Sequence, residues 1–138
     1  MTTIENSKRL SDIKKTFQLF SDPLDIISYL IDIGKKSHNI IDEEKTDFNI
    51  ISGCTSRAWI IVSRIADDKY YIKTDSDSHI VSGLLYLLCL YINNQSKDFI
   101  NAINGIDILK FIGLDGNITS QRTNGFLSAI QTLKERIN

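Results

Sequence analysis

Residues 57–92 read RAWIIVSRIADDKYYIKTDSDSHIVSGLLYLLCLYI, and the succession of patterns in them decides the fold class. Residues 57–65 read as a strand, with Trp59, Ile61 and Ile65 expected on one face. Asp67-Asp68 makes a turn into 70–74, a second strand. Asp75-Ser76-Asp77-Ser78 then offers several capping oxygens ahead of an apolar segment, 80–92. That segment is too long for a buried strand and reads as a central helix. Just upstream, 48–51 is a short apolar stretch expected as a third strand, ended by the small residues Ser52-Gly53-Cys54-Thr55-Ser56. The chain has 24 isoleucines against 2 valines. Such a skew reflects codon usage, so isoleucine is a poor strand marker here and periodicity carries more weight.

Outside this stretch the pattern is helical. Leu10, Ile13, Phe17 and Phe20 fall on one helix face. Ser21-Asp22-Pro23 starts a second helix that runs through Ile27, Leu30 and Ile31 to Gly34, read as its C-terminal stop. Residues 35–47 are polar and aperiodic, an ordered loop. Ser96-Lys97-Asp98 opens a short helix through Ile103. Thr119 or Ser120 caps the last helix, whose stripe is Phe126, Ile130, Leu133 and Ile137. Strands grouped together and helices grouped apart predict an α+β fold: a small antiparallel three-stranded sheet packed against helices. No repeat or linker interrupts it, so residues 1–138 are expected to form one domain.

Composition narrows the function classes. With 138 residues, 24% of them charged and a formal charge of −1, the chain has no basic excess, so no nucleic-acid partner is expected. The longest apolar run, 84–92, is far short of the ~20 residues that span a bilayer, so no membrane partner is expected. The first residues, with Glu5, Lys8 and Arg9, lack the apolar segment of a secretory signal. Two cysteines supply no disulfide framework. A cytoplasmic protein is the expectation.

Most catalytic templates fail by absence. There is no glycine-rich phosphate loop, and His38 and His79 are not at ligand spacing with each other or with a cysteine. No metal site is expected, and both histidines read as solvated surface groups. Cys89 lies inside the apolar helix and reads as a core residue, as does Trp59. Cys54 is different. It follows Gly53, sits among small residues between two strand-like stretches, and has the positive charge of Arg57 nearby. From the residues alone it is either a reactive thiol or an inert loop residue. Asp75 and Asp77 read as caps of the central helix, and Arg122 as a charge near the start of the last helix.

Three ordered blocks carry a resemblance. Ile51-Ser52-Gly53-Cys54-Thr55-Ser56-Arg57-Ala58-Trp59 resembles the Gly-Cys-Gln-Ser-x-Val-Trp signature of the SufE family of sulfur-acceptor proteins. Residues 75–84, Asp-Ser-Asp-Ser-His-Ile-Val-Ser-Gly-Leu, are similar to that family's Asp-Ser-Asp-Ala-x-Ile-Val-x-Gly-Leu. Thr119-Ser120-Gln121-Arg122-Thr123-Asn124-Gly125-Phe126 is similar to its Ser-Pro-Ser-Arg-x-Asn-Gly-Leu. Gly34-Lys35 matches its Leu-Gly-Lys at the same distance before the cysteine. The chain departs from the family at Pro23-Leu24-Asp25-Ile26-Ile27, at Ser37-His38-Asn39-Ile40-Ile41, where the family has a proline-rich loop, and at Ser52.

The resemblance implies a fold like that of SufE and of IscU-type scaffolds. It implies that Cys54 accepts persulfide sulfur from a SufS-like PLP-dependent cysteine desulfurase and relays it to a SufBCD-like scaffold complex for iron–sulfur cluster assembly. Gly53, Ser56, Arg57, Asp75, Asp77 and Arg122 would be supporting or partner-facing residues. No cofactor of its own is implied, since PLP belongs to the partner, and no stand-alone turnover is expected. The alternative is an iron–sulfur cluster scaffold of the related fold. The short, glycine-containing loop also leads us to expect the Cys54 sulfur turned inward in the free protein. There it would rest against apolar side chains near the start of the central helix and turn outward on docking.

Overall fold

The computed structural model describes residues 3–53, 56–114, 116 and 118–138. Two helices, α1 (Thr3–Leu19) and α2 (Pro23–Lys35), lead into a loop with two 3₁₀ turns, Asp42–Glu44 and Asp47–Asn49. A hairpin follows, β1 (Ala58–Ala66) and β2 (Lys69–Ser76). Then come α3 (His79–Ile92), α4 (Lys97–Ala102), α5 (Gly105–Ile112) and α6 (Ser120–Ile137). The α+β fold is as expected. No described helix is long and apolar enough to cross a membrane.

α3 is apolar nearly all round, and a helix of that kind has to be covered on every side. α1, α2, α6 and β2 all pack on it. Leu84, Leu85, Leu87, Leu88 and Ile92 are at most 1% exposed, and Leu30, Ile60, Ile72 and Phe126 close around them to the same degree. Its cap is the Ser78 hydroxyl, which accepts from Val81 N. Asp75 and Asp77 do not cap it, because Asp75 still lies in β2 and both carboxylates have other partners. The Phe126, Ile130, Leu133 and Ile137 stripe of α6 is buried throughout, and Thr119 is its cap.

The sheet has two strands, not three. β1 and β2 pair antiparallel, with Trp59 opposite Asp75 and Ile60 opposite Thr74, around the two-residue turn Asp67–Asp68. The expected third strand shrinks to one bridge, Ile50 to Trp59, beside an Ile51 N–H bond to Ala58 O of 2.8 Å. Residues 47–49 coil into a 3₁₀ turn instead, and Phe48 is 76% exposed, so no burial rewards extending them. The predicted strand face also fails: Ile60 is fully buried while Ile65 is 50% exposed, because the hairpin tip runs out beyond the helices. α5 is absent from the sequence reading, although Asn104 caps it and Gly113, at φ +91°, ends it.

α2 ends at Lys35, one residue past the expected stop, but Gly34 itself stays helical and is not a left-handed cap. It is buried within α2, where an added Cβ would lie 1.8 Å from the His79 carbonyl oxygen. Gly83 is its counterpart on α3, where a Cβ would meet the Leu30 carbonyl oxygen at 2.4 Å. Two glycines thus let the α2 and α3 backbones touch. Alanine favours a helix by about 1 kcal/mol over glycine, but here the two helices would be forced apart. Gly34→Ala is expected to lose about 3 kcal/mol from overpacking. Gly113→Ala, with nothing within 4 Å of the new Cβ, should lose only the ~1–2 kcal/mol of a left-handed alanine. Urea midpoints of the two variants check the ordering.

Candidate functional site

Cys54 and Thr55 lie outside the described residues, and with them the expected inward turn of the Cys54 sulfur. What the structure describes is how the loop around them is held. Gly53 sits at φ +81°, a left-handed conformation that suits glycine, and a Cβ there would stand 3.1 Å from Ser128 Oγ of α6. Ser52 and Gly53 therefore leave the Ile51–Ala58 pairing through a left-handed glycine, and Gly53 stands beside α6.

The downstream flank is pinned through Arg57. Its carbonyl oxygen accepts from Asp77 N at 3.0 Å and from Ser76 Oγ at 2.8 Å. Its guanidinium Nε reaches Asp77 Oδ2 at 2.7 Å. That ion pair is largely exposed, so it contributes about 1 kcal/mol at most. Ser76 is buried: its Oγ also accepts from Ser78 N at 3.1 Å, and its carbonyl accepts from Ser82 Oγ at 3.2 Å. Arg57 is thereby tied to the first turn of α3.

The upstream flank is pinned through Asp75, whose side chain is only 3% exposed. A buried carboxylate needs paired charge and hydrogen bonds, and it has both. Ser76 N donates to Oδ1 at 2.8 Å, His38 Nδ1 lies against the same oxygen, and Lys45 Nζ stands 3.3 Å from Oδ2. His38 is therefore engaged rather than merely solvated, and its ring meets that of His79 edge-on at 5.7 Å. Lys45 also lies 5.0 Å from the centre of the buried Trp59 ring, with Arg57 at 5.6 Å. Two further ties hold the same loop. Lys73 bonds Glu44 at 3.0 Å and keeps that carboxyl below its ordinary pKa. Arg136 of α6 donates to the Phe48 carbonyl and reaches Ile60 O at 3.4 Å.

Of the residues singled out from the sequence, Gly53, Ser56, Arg57, Asp75 and Asp77 cluster at this loop. Arg122 sits in the first turn of α6, its side chain half-buried and without an ion pair to a described residue. The α6 residue against Gly53 is Ser128, about 9 Å farther along the helix at 1.5 Å per residue. His38, Lys45, Ser76, Ser128 and Arg136 were missed as site residues. Only Ser76 carried a usable signal, being the middle of the Asp-Ser-Asp block. Among the described residues no three His, Cys, Asp or Glu side chains converge as a metal would need.

Comparison with known proteins bears on the same segment. Residues 11–137 match the family model described as SufE, Fe-S metabolism associated domain. The chain belongs to the SufE family. Its involvement is accordingly in iron–sulfur metabolism. An uncharacterized SufE-like protein of Rhizobium etli is 31% identical over 129 residues, covering 91% of this chain and 87% of that one. Another from Rhizobium meliloti is 30% identical, covering 91% of each chain. A third, from Synechocystis, is 29% identical over 92% of this chain and 79% of its own. A solution structure of a hypothetical protein from Thermus thermophilus shares the fold. It has a TM-score of 0.69 at 14% identity, and the match covers 93% of this SufE chain and 92% of that one.

The other thiol of this SufE protein is shut away. Cys89 is buried, 3.5 Å from Thr74 Oγ1, and burial pushes its pKa up from 9.0 to about 11. A thiol whose folded pKa is raised stabilises the fold below its unfolded pKa, and that contribution is lost as pH rises through the folded value. The stability advantage of the wild type over Cys89→Ala should therefore shrink between pH 9 and about 11. Urea titrations across that range check it. At pH 8 iodoacetamide should leave Cys89 unmodified until the protein is unfolded.

Proposed function

We propose that this protein is a sulfur acceptor and activator of a SufS-like PLP-dependent cysteine desulfurase. It takes persulfide sulfur onto Cys54 and relays it, in the cytoplasm, to a SufBCD-like cluster scaffold. Family membership supports the pathway context. The observation that carries the choice of residue is the contrast between the two thiols. Cys89 is sealed in the core with its pKa raised, whereas Cys54 follows a left-handed glycine in a loop whose two flanks are tied to β2.

The chemistry is an exchange at sulfur. The Cys54 thiolate attacks the terminal sulfur of the partner's cysteine persulfide, forming a new S–S bond. The partner's old S–S bond breaks and its cysteine leaves as a thiolate. One sulfur atom moves, no net oxidation or reduction occurs, and the exchange requires neither a base nor a metal from this chain. PLP stays with the desulfurase, where sulfur is released from cysteine. A cluster scaffold would instead need three or four converging ligands, and no observation favours that alternative.

Alanine release from cysteine by the desulfurase provides the test. Wild-type protein is expected to stimulate it, whereas Cys54→Ser folds normally and does not. Cys89→Ala should stimulate as well as wild type while losing about 1 kcal/mol of stability to the cavity it leaves. Stimulation that survives Cys54→Ser would refute the proposal.

A further inference from the structure

The segment that feeds the cysteine loop, residues 36–50, has no regular element to stiffen it beyond two 3₁₀ turns and is held by individual contacts. It contains no proline, the chain's one proline being Pro23, and no helix longer than a 3₁₀ turn. Such a stretch takes up a single path only where side chains tie it down. The Glu44–Lys73 pair is about a third exposed on each side, which makes it weak and replaceable by water. The ties to Asp75 differ in kind, because that carboxylate is buried: losing Lys45 removes the ammonium paired with it, and losing His38 removes a hydrogen-bond partner from Oδ1. Its cross-strand partner is Trp59, two residues beyond Arg57, and the Lys45 ammonium lies over the Trp59 ring. Lys45 and His38 thus bind the incoming segment to the strand from which Ser76 and Asp77 hold the outgoing one.

We propose that Lys45 and His38 are positioning residues for Cys54, acting through Asp75. They set the path of the chain into residues 52–56, while the next two residues of β2 set its path out. Residues 75–77 then brace both sides of the loop, adding to the Ile51–Ala58 bond and the Arg136 tie to Phe48 at its base, and a slack upstream side leaves the thiol reachable but poorly aimed. The proposal rests on the function above only in taking Cys54 as the working residue. A positioned loop binds its partner without paying for ordering first, so losing the clamp weakens docking more than it slows the transfer itself.

The test uses the full chain with Lys45→Met, His38→Gln and Lys45→Arg. Two quantities are read: the rate of Cys54 alkylation by iodoacetamide, and the concentration giving half-maximal stimulation of a desulfurase. At a temperature where circular dichroism shows each variant fully folded, Lys45→Met and His38→Gln should each alkylate at Cys54 about threefold faster, as an exposed thiol does. Half-maximal stimulation should need about fivefold more protein, about 1 kcal/mol of docking, at an unchanged maximal rate. Lys45→Arg should restore both. Alkylation at or below the wild-type rate in both variants would overturn the positioning role, and His38→Gln decides alone if Lys45→Met does not fold. If alkylation speeds up as expected but wild-type protein stimulates no desulfurase, the positioning stands and the proposed function falls.

Discussion

Burial of α3 is the constraint on which everything else in this molecule depends. Eleven of its fourteen residues are buried, and each fully covered leucine contributes about 1.5–3 kcal/mol relative to exposure. Covering such a helix takes α2 on one side, held at backbone contact by Gly34 and Gly83, with β2, α1 and α6 around the rest. The hairpin therefore has no freedom in where it ends. β2 runs straight into the Ser78 cap of α3, so residues 75–77, the last two of the strand and the one that follows, are fixed against a helix start.

That fixed junction is what the cysteine loop leans on. Burial decides which of its contacts matter. The Arg57–Asp77 pair is the shortest unambiguous ion pair there, yet it is exposed and correspondingly weak. Asp75 and Ser76 are each 3% exposed, so a lost partner leaves a buried polar atom unsatisfied. The backbone carbonyl of Arg57, held by two donors, and the Lys45 and His38 contacts on Asp75 consequently define the loop's frame more firmly than the surface charges do.

Much of this was legible in the residues. Periodicity located α1, caps followed by apolar stripes located α2 and α6, the length of the apolar run located α3, the Ser96-Lys97-Asp98 start located α4, and the Asp67-Asp68 turn located the hairpin. Three local blocks were sufficient to recognise the SufE family. Most of the failures share one physical cause: they concern partners distant along the chain. Nothing local to residues 48–51 says that Phe48 stays in solvent, so a third strand was expected. Gly34 looks like a helix end because the carbonyl of His79, 45 residues on, is invisible to a local pattern. Asp75 and Asp77 carry cap-type side chains, and only the fold shows that Ser78 takes that role while His38 and Lys45 claim Asp75. α5 was passed over because its eight residues are too few to display a helical period, although Asn104 and Gly113 mark its ends.

The account turns on one sulfur atom. The direct measurement is to incubate the protein with a PLP-dependent cysteine desulfurase and cysteine, block free thiols, and map the added sulfur by peptide mass spectrometry. One extra sulfur on the peptide containing Cys54, with the Cys89 peptide unmodified, is the predicted result. Added sulfur on Cys89 alone, or on neither cysteine while the desulfurase turns over, would contradict it.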